Sequence, residues 1–101
     1  MTPRRPEIDD FAPRLGQTFR LQLGGGQALS LELVEVKDRG RSSVGGPERS
    51  CYALLFRSPG EDRFVPQRTY TVEHDALGAV EMFLVPRGPD GRGMTYEAIY
   101  N

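Results

Sequence analysis

The chain carries few of the residues that do chemistry. Its 101 residues include one cysteine, Cys51, and one histidine, His74. A lone cysteine closes no internal disulfide, whereas small secreted domains usually carry an even set, so Cys51 points to a reducing compartment and a cytoplasmic protein. One cysteine and one histidine cannot furnish the four soft ligands of a structural zinc site. The adjacent acidic pairs Asp9–Asp10 and Glu61–Asp62 lack the spaced oxygens of a calcium loop. Neither "LGGGQ" nor "DGRGM" has the glycine and lysine spacing that cradles phosphate. On these grounds no metal or cofactor is expected.

Long apolar runs are missing too, and with them the ~20 residues a membrane helix needs. The opening "MTPRRPEIDDFAPR" has charges and three prolines but no apolar centre, so it reads as neither a secretory signal nor a span. Thirteen basic against fourteen acidic residues leave a net charge of -1, which supplies no long-range field for nucleic acid or anionic lipid. Lys37 is the only lysine beside twelve arginines, which reads as coding bias. No segment shows helical periodicity. With 38% hydrophobic and 27% charged residues, the composition is that of one ordinary globular domain.

What the chain has in quantity is period-2 alternation bounded by turn residues. After a flexible arm over residues 1–10, "DDFAPRLG" allows at most a helical turn, because Pro13 interrupts it. Residues 17–23 put Phe19, Leu21 and Leu23 on one face, and "GGGQ" reverses the chain into a second strand over residues 28–36. There Leu29, Leu31 and Leu33 share a phase that Val34 and Val36 break, which predicts a bulge near Leu33. Residues 37–50 are polar, with three glycines and a proline, and read as a mobile loop. Residues 51–57 are continuously apolar, as in a strand covered on both faces.

Three more strands follow. Within residues 64–74, Tyr70, Val72 and His74 align; residues 79–86 end at Pro86; residues 94–100 reach nearly the last residue. About six short strands in succession predict an all-β domain over residues 11–101, an antiparallel barrel or sandwich. A β-branched and aromatic run at the chain end predicts that the last strand lies inside the sheet.

For nucleophilic catalysis, His74 could be combined with Ser50 or Cys51, but a lone histidine in phase with Tyr70 and Val72 is more often a strand-end residue making one hydrogen bond. Cys51 heads an apolar strand, where a thiol behaves as a small hydrophobe. The chain is therefore expected not to be an enzyme. Tyr70, His74, Tyr96 and Tyr100, with Arg39 and Arg41 of the loop, make up the candidate interaction surface, since tyrosine is enriched at interfaces. Tyrosine is equally a core residue with its hydroxyl at the rim. Lys37, Arg39, Arg41 and Arg49 against Asp38 and Glu48 give the loop a charge of +2, but it has no aromatic residue to stack bases, and nucleic acid is not expected.

"FAPRLGQTFRL", "YALLFRSP", "YTVEHDALGAVEMFLVP" and the closing "YEAIYN" together resemble a small uncharacterised family of bacterial domains about as long as this chain. The resemblance covers most of residues 11–101. The family pattern falls on Phe19, Phe56, Tyr70, His74, Leu77, Gly78, Phe83, Leu84, Val85, Pro86, Tyr96, Glu97 and Asn101, all of which have structural explanations. The resemblance implies a domain encoded near phage-tail-collar-like proteins and an accessory role in a tail-like or other multi-protein assembly, with a protein partner or a second copy as occupant. The rival expectation is a barrel that binds a small molecule or sugar in a cavity lined by tyrosines and His74.

Overall fold

The computed structural model describes residues 6–60 and 64–101. A four-residue helix, α1 (Ile8–Phe11), and a 3-10 turn over Ala12–Arg14 lead into six strands. These are β1 (Thr18–Gly24), β2 (Gln27–Ser42), β3 (Arg49–Pro59), β4 (Arg68–His74), β5 (Gly78–Pro89) and β6 (Gly93–Tyr100). They form one antiparallel sheet that closes on itself in the order β1-β2-β3-β6-β5-β4. Between the two expected architectures, the structure is the barrel.

The ring is uneven. β4 and β5 pair over seven positions from Arg68↔Leu84 to His74↔Gly78, whereas β1 and β4 meet only at Arg20↔Glu73 and Leu21↔Val72. β5 pairs with β6 only from Val85 to Pro89, and its lower half turns to β4. The β2–β3 register shifts between Leu33 and Glu35, which places the expected bulge at Val34. The β1–β2 turn uses Gly24, Gly25 and Gly26, all at positive φ, a conformation open to glycine at little steric cost.

Alternation sorts the side chains. Phe19 and Leu21 of β1, Leu31 and Leu33 of β2, and Tyr52, Leu54 and Phe56 of β3 point inward and are buried. Tyr70 and Val72, Met82 and Leu84, and Met94, Tyr96 and Ala98 complete the core from β4, β5 and β6. Phe11 of α1 plugs one end, its ring 6.3 Å from Phe19 and 5.8 Å from Tyr52. Each large side chain so buried stabilises the fold by about 1.5–3 kcal/mol. β6 lies between β3 and β5, so the C-terminal strand is inside the sheet as its sequence predicts.

Several boundaries differ from expectation. β5 does not end at Pro86 but runs on to Pro89, because a register shift between Pro86 and Gly88 lets its pairing with β6 continue, and β4 begins at Arg68 rather than at residue 64. Residues 37–42 and 49–50, read as loop, are strand: β2 runs on to Ser42 and β3 begins at Arg49. They pair at Lys37↔Ala53, Asp38↔Tyr52, Arg41↔Ser50 and Ser42↔Arg49, so partner-strand hydrogen bonding overrides weak local propensity. The arm expected over 1–10 falls partly on residues 1–5, outside the described residues. From Pro6 onward it is packed: Tyr52 donates a 2.7 Å hydrogen bond to the Pro6 carbonyl. Residues 61–63, and with them the acidic pair Glu61–Asp62, also lie outside the described residues.

Candidate interaction site

Beyond the ring, β2 and β3 continue as a projecting two-stranded arm. β1 stays with β2 as far as Leu33, where Gly16 N–H donates to the Leu33 carbonyl at 2.8 Å and Leu33 N–H to the Gln17 carbonyl at 3.1 Å. From Glu35 to Ser42, among the described residues, β2 has a strand partner on one side alone. At Asp38–Arg41 the register shifts again, with Gly40 at φ 92° and its N–H turned to Asp38 Oδ1 at 2.8 Å. Such a bulge bends the strand and redirects its side chains.

The base of the arm is held on its inner face. Ser50 is buried; its N–H donates to Glu7 Oε2 at 3.3 Å, its hydroxyl donates to the same carboxylate, and its Oγ accepts from Ile8 N–H at 3.3 Å. Arg49 donates to the Asn101 carbonyl at 2.8 Å and to the Val44 carbonyl at 3.0 Å. Toward the tip, Arg41 pairs with Glu48 at 2.7 Å, both well exposed. Val44 at the turn is 80% exposed. The side chains of Lys37 and Arg39 are exposed and make no ion pair or hydrogen bond among the described residues.

The other residues expected at an interaction surface do not join Arg39 and Arg41. Tyr70 and Tyr96 are buried with their hydroxyls turned to the top of the barrel: Tyr70 donates to the Pro66 carbonyl at 2.6 Å, and Tyr96 accepts from Val65 N–H at 3.0 Å. Tyr100 is half-buried against Tyr52 and Phe11. Tyr70 shares its strand phase with Val72 and Tyr96 shares its own with Ala98, and that alternation marks both as inward. Sequence reasoning missed the outward apolar pair, Phe83 on β5 and Ile99 on β6, each 49% exposed. Their phase, opposite to Leu84 and Ala98, was the available signal.

His74 is locked rather than poised. Its Nδ1 accepts from Ala76 N–H at 3.0 Å, so Nε2 carries the proton and donates to Gln17 Oε1 at 2.7 Å. Burial holds its pKa below the ordinary 6.5; Arg14 lowers it further, Asp75 opposes, and Arg20 adds a smaller push downward. Ser50 is bound to Glu7 and Ile8, so neither ring nitrogen of His74 is paired with a nucleophile. Cys51 is half-buried and forms no disulfide among the described residues. No cluster of three metal-ligating side chains occurs among the described residues, and no helix among them is long and apolar enough to cross a membrane.

On the outer face an open groove of about 330 Å³ lies beside the arm, floored by Ala53, Leu55 and Thr95 and rimmed by Glu35, Lys37, Arg87, Asp90 and Glu97. Most of its charges are already paired. Arg57 pairs with Asp90 at 2.7 Å and with Glu32 at 3.5 Å, and Arg87 with Glu97 at 3.6 Å. The Arg57 hydrogen bond, helped by Arg92 N–H, holds the Asp90 carboxyl below its usual range.

A small, closed antiparallel barrel with a filled interior and one projecting hairpin is therefore the class this chain defines. The chain belongs to the family described as Domain of unknown function (DUF6916), whose pattern matches residues 6–100. No curated protein and no solved structure matches it.

Proposed function

We propose that this domain is a non-catalytic protein-interaction module that engages its partner through the β2–β3 arm. The supporting observation is the β2 edge from Glu35 to Ser42, rigidly based and unpaired on its β1 side among the described residues. The ring has short unpaired stretches of its own where β1 meets β4 and β5 meets β6, but the β2 edge projects beyond it, where a partner strand can be added. An accessory role in a tail-like or other multi-protein assembly is the setting to which the sequence resemblance points. The rival, a barrel holding a small molecule or sugar, draws no support from the interior, which core side chains occupy.

The test is light scattering on the purified chain, followed by capture from the native host with wild-type protein and a Lys37→Glu/Arg39→Glu variant as paired baits. A partner held by wild type and released by the variant is expected. A strict monomer that retains nothing would overturn the reading.

A further inference from the structure

We infer that the free β2 edge pairs with the same edge of a second copy of this chain, antiparallel about a twofold axis at Val36. The inference rests on the interaction-module reading and names its partner. The fold sets the length of the edge. β1 occupies β2 as far as Leu33, and the register shift after Asp38, with Gly40 at φ 92°, bends the strand away. Between those limits lie Val34 to Asp38, whose midpoint is Val36. A twofold axis there lays the whole segment against its copy, and each backbone supplies the N–H and C=O partners of the other.

Charge sets the register. Residues opposite each other in an antiparallel ladder share a sheet face. Glu35 and Lys37 lie on one face, since they pair with Leu55 and Ala53 of β3 and line the same outer groove. Both side chains are exposed and make no ion pair among the described residues. With the axis at Val36, Glu35 of each copy stands opposite Lys37 of the other, and two opposite-charge pairs form. Moving the axis one residue toward the barrel sets Glu35 on Glu35. Moving it one residue outward sets Lys37 on Lys37, and one further sets Asp38 on Asp38 and Lys37 on Arg39. Like charges directly opposite are destabilising. The charges that cancel along one edge therefore match between two copies in the Val36 register and clash in its neighbours.

Three further features favour a second copy. Val36, half-buried beside the core, meets Val36 of the other copy across the axis on the inner face. A net charge of -1 lets two copies approach without long-range repulsion. Ser50 on Glu7 and Ile8, Tyr52 on Pro6 and Arg49 on Asn101 fix the arm beforehand, which lowers the ordering cost of pairing. The interface is isologous, the arrangement of the commonest soluble oligomers. So short a ladder buries well under the about 1,200 Å² of a stable complex, so association is weak and reversible.

The experiment follows the ¹⁵N-labelled full chain by NMR and by sedimentation from about 10 µM to about 1 mM, as wild type, Glu35→Lys, Lys37→Glu and an equal mixture of the two variants. Circular dichroism checks that each variant keeps the fold. Wild type is expected to self-associate, with concentration-dependent amide shifts centred on residues 34–38. Each variant alone sets like charge on like and should associate about tenfold more weakly. The mixture should recover to within about threefold of wild type, because each variant then offers the charges that the other lacks. Variants that weaken without recovery on mixing would overturn the Val36 register. Association that neither variant weakens, with shifts at Phe83 and Ile99, would overturn pairing through this edge. A wild type that stays monomeric at about 1 mM would overturn the second copy as partner. If that monomer still captures a different protein from the native host, the interaction module stands; if it retains nothing, the module falls with it.

Discussion

Tyr52 and Tyr100 face each other across the β3–β6 ladder, their rings stacked with centroids 4.8 Å apart and planes 21° from parallel. Phe11 lies against both, 5.8 Å from Tyr52 and 6.4 Å from Tyr100. One aromatic cluster thus ties the N-terminal helix, a central strand and the C-terminal strand together. The Tyr100 hydroxyl also reaches the Glu81 carbonyl at 3.4 Å, near where β5 and β6 have stopped pairing. The lower end of the barrel is therefore closed by side chains where the backbone ladder does not close it.

Removing residues 95–101 takes away a strand with neighbours on both sides, along with Tyr96, Ala98 and Tyr100. The expected outcome is loss of the cooperative thermal transition in circular dichroism rather than a lowered midpoint. Tyr52→Ala in the full chain should cost about 3–5 kcal/mol. Tyr52→Phe, which keeps the ring and gives up the hydroxyl's bond to Pro6, should cost about 1 kcal/mol by urea unfolding.

The inner face was legible in the sequence because alternation is local. Leu31 and Leu33 share a phase that Val36 breaks, and that conflict located a bulge the structure shows between Leu33 and Glu35. The arm was illegible for the converse reason. Lys37, Asp38, Arg39 and Gly40 have the composition of a loop; Lys37 and Asp38 are strand because they pair with Ala53 and Tyr52, and Arg39 and Gly40 form the bulge before pairing resumes at Arg41↔Ser50. Ring closure was hidden as well, since β1 and β4 meet at two positions separated by some fifty residues of chain. Residue type leaves a tyrosine equally at home in the core or on a surface, and phase decides here: Tyr70 and Tyr96 follow Val72 and Ala98 inward.

Gly93 is required for steric rather than conformational reasons. It pairs with Pro59, and a Cβ there would run into the Ser58 carbonyl oxygen, stand 2.9 Å from the carbonyl carbon and 3.0 Å from Pro59 Cα. All three are backbone, so relief requires moving the β3–β6 ladder. Gly93→Ala should destabilise by about 3 kcal/mol, the upper end of the overpacking range, because no flexible side chain can give way. Gly91→Ala, in the adjoining turn, meets no neighbour and bears only the strain of φ 88°, about 1–2 kcal/mol. Denaturant midpoints for the pair separate the two mechanisms, and equal costs would refute the steric account.

Ser58 carries a buried hydroxyl with no hydrogen-bond partner among the described residues. An unsatisfied buried polar group costs about 1–3 kcal/mol, so Ser58→Ala should raise stability by about 1 kcal/mol after the loss of its few packing contacts. Ser58→Val keeps apolar bulk and tests whether the site tolerates volume. A fall in the thermal midpoint for Ser58→Ala would mean the hydroxyl is satisfied.

His74 predicts a specific pH dependence. In the folded protein both ring nitrogens are used in the neutral form, with Nδ1 accepting from Ala76, so a second proton has to displace that bond. Its folded pKa lies below the ordinary 6.5, chiefly through burial. The unfolded chain therefore binds the proton more readily, and stability rises with pH across the interval from the folded value up to 6.5 and is flat above it. Acidification from about pH 7.5 to about pH 5 should lower the thermal midpoint, and His74→Gln, uncharged throughout, should flatten that slope. Asp90 does not confuse the window. Its folded pKa is depressed below 3.8, so the stability it contributes is lost only at more acidic pH. Parallel slopes for wild type and His74→Gln between those limits would show that His74 does not carry the dependence.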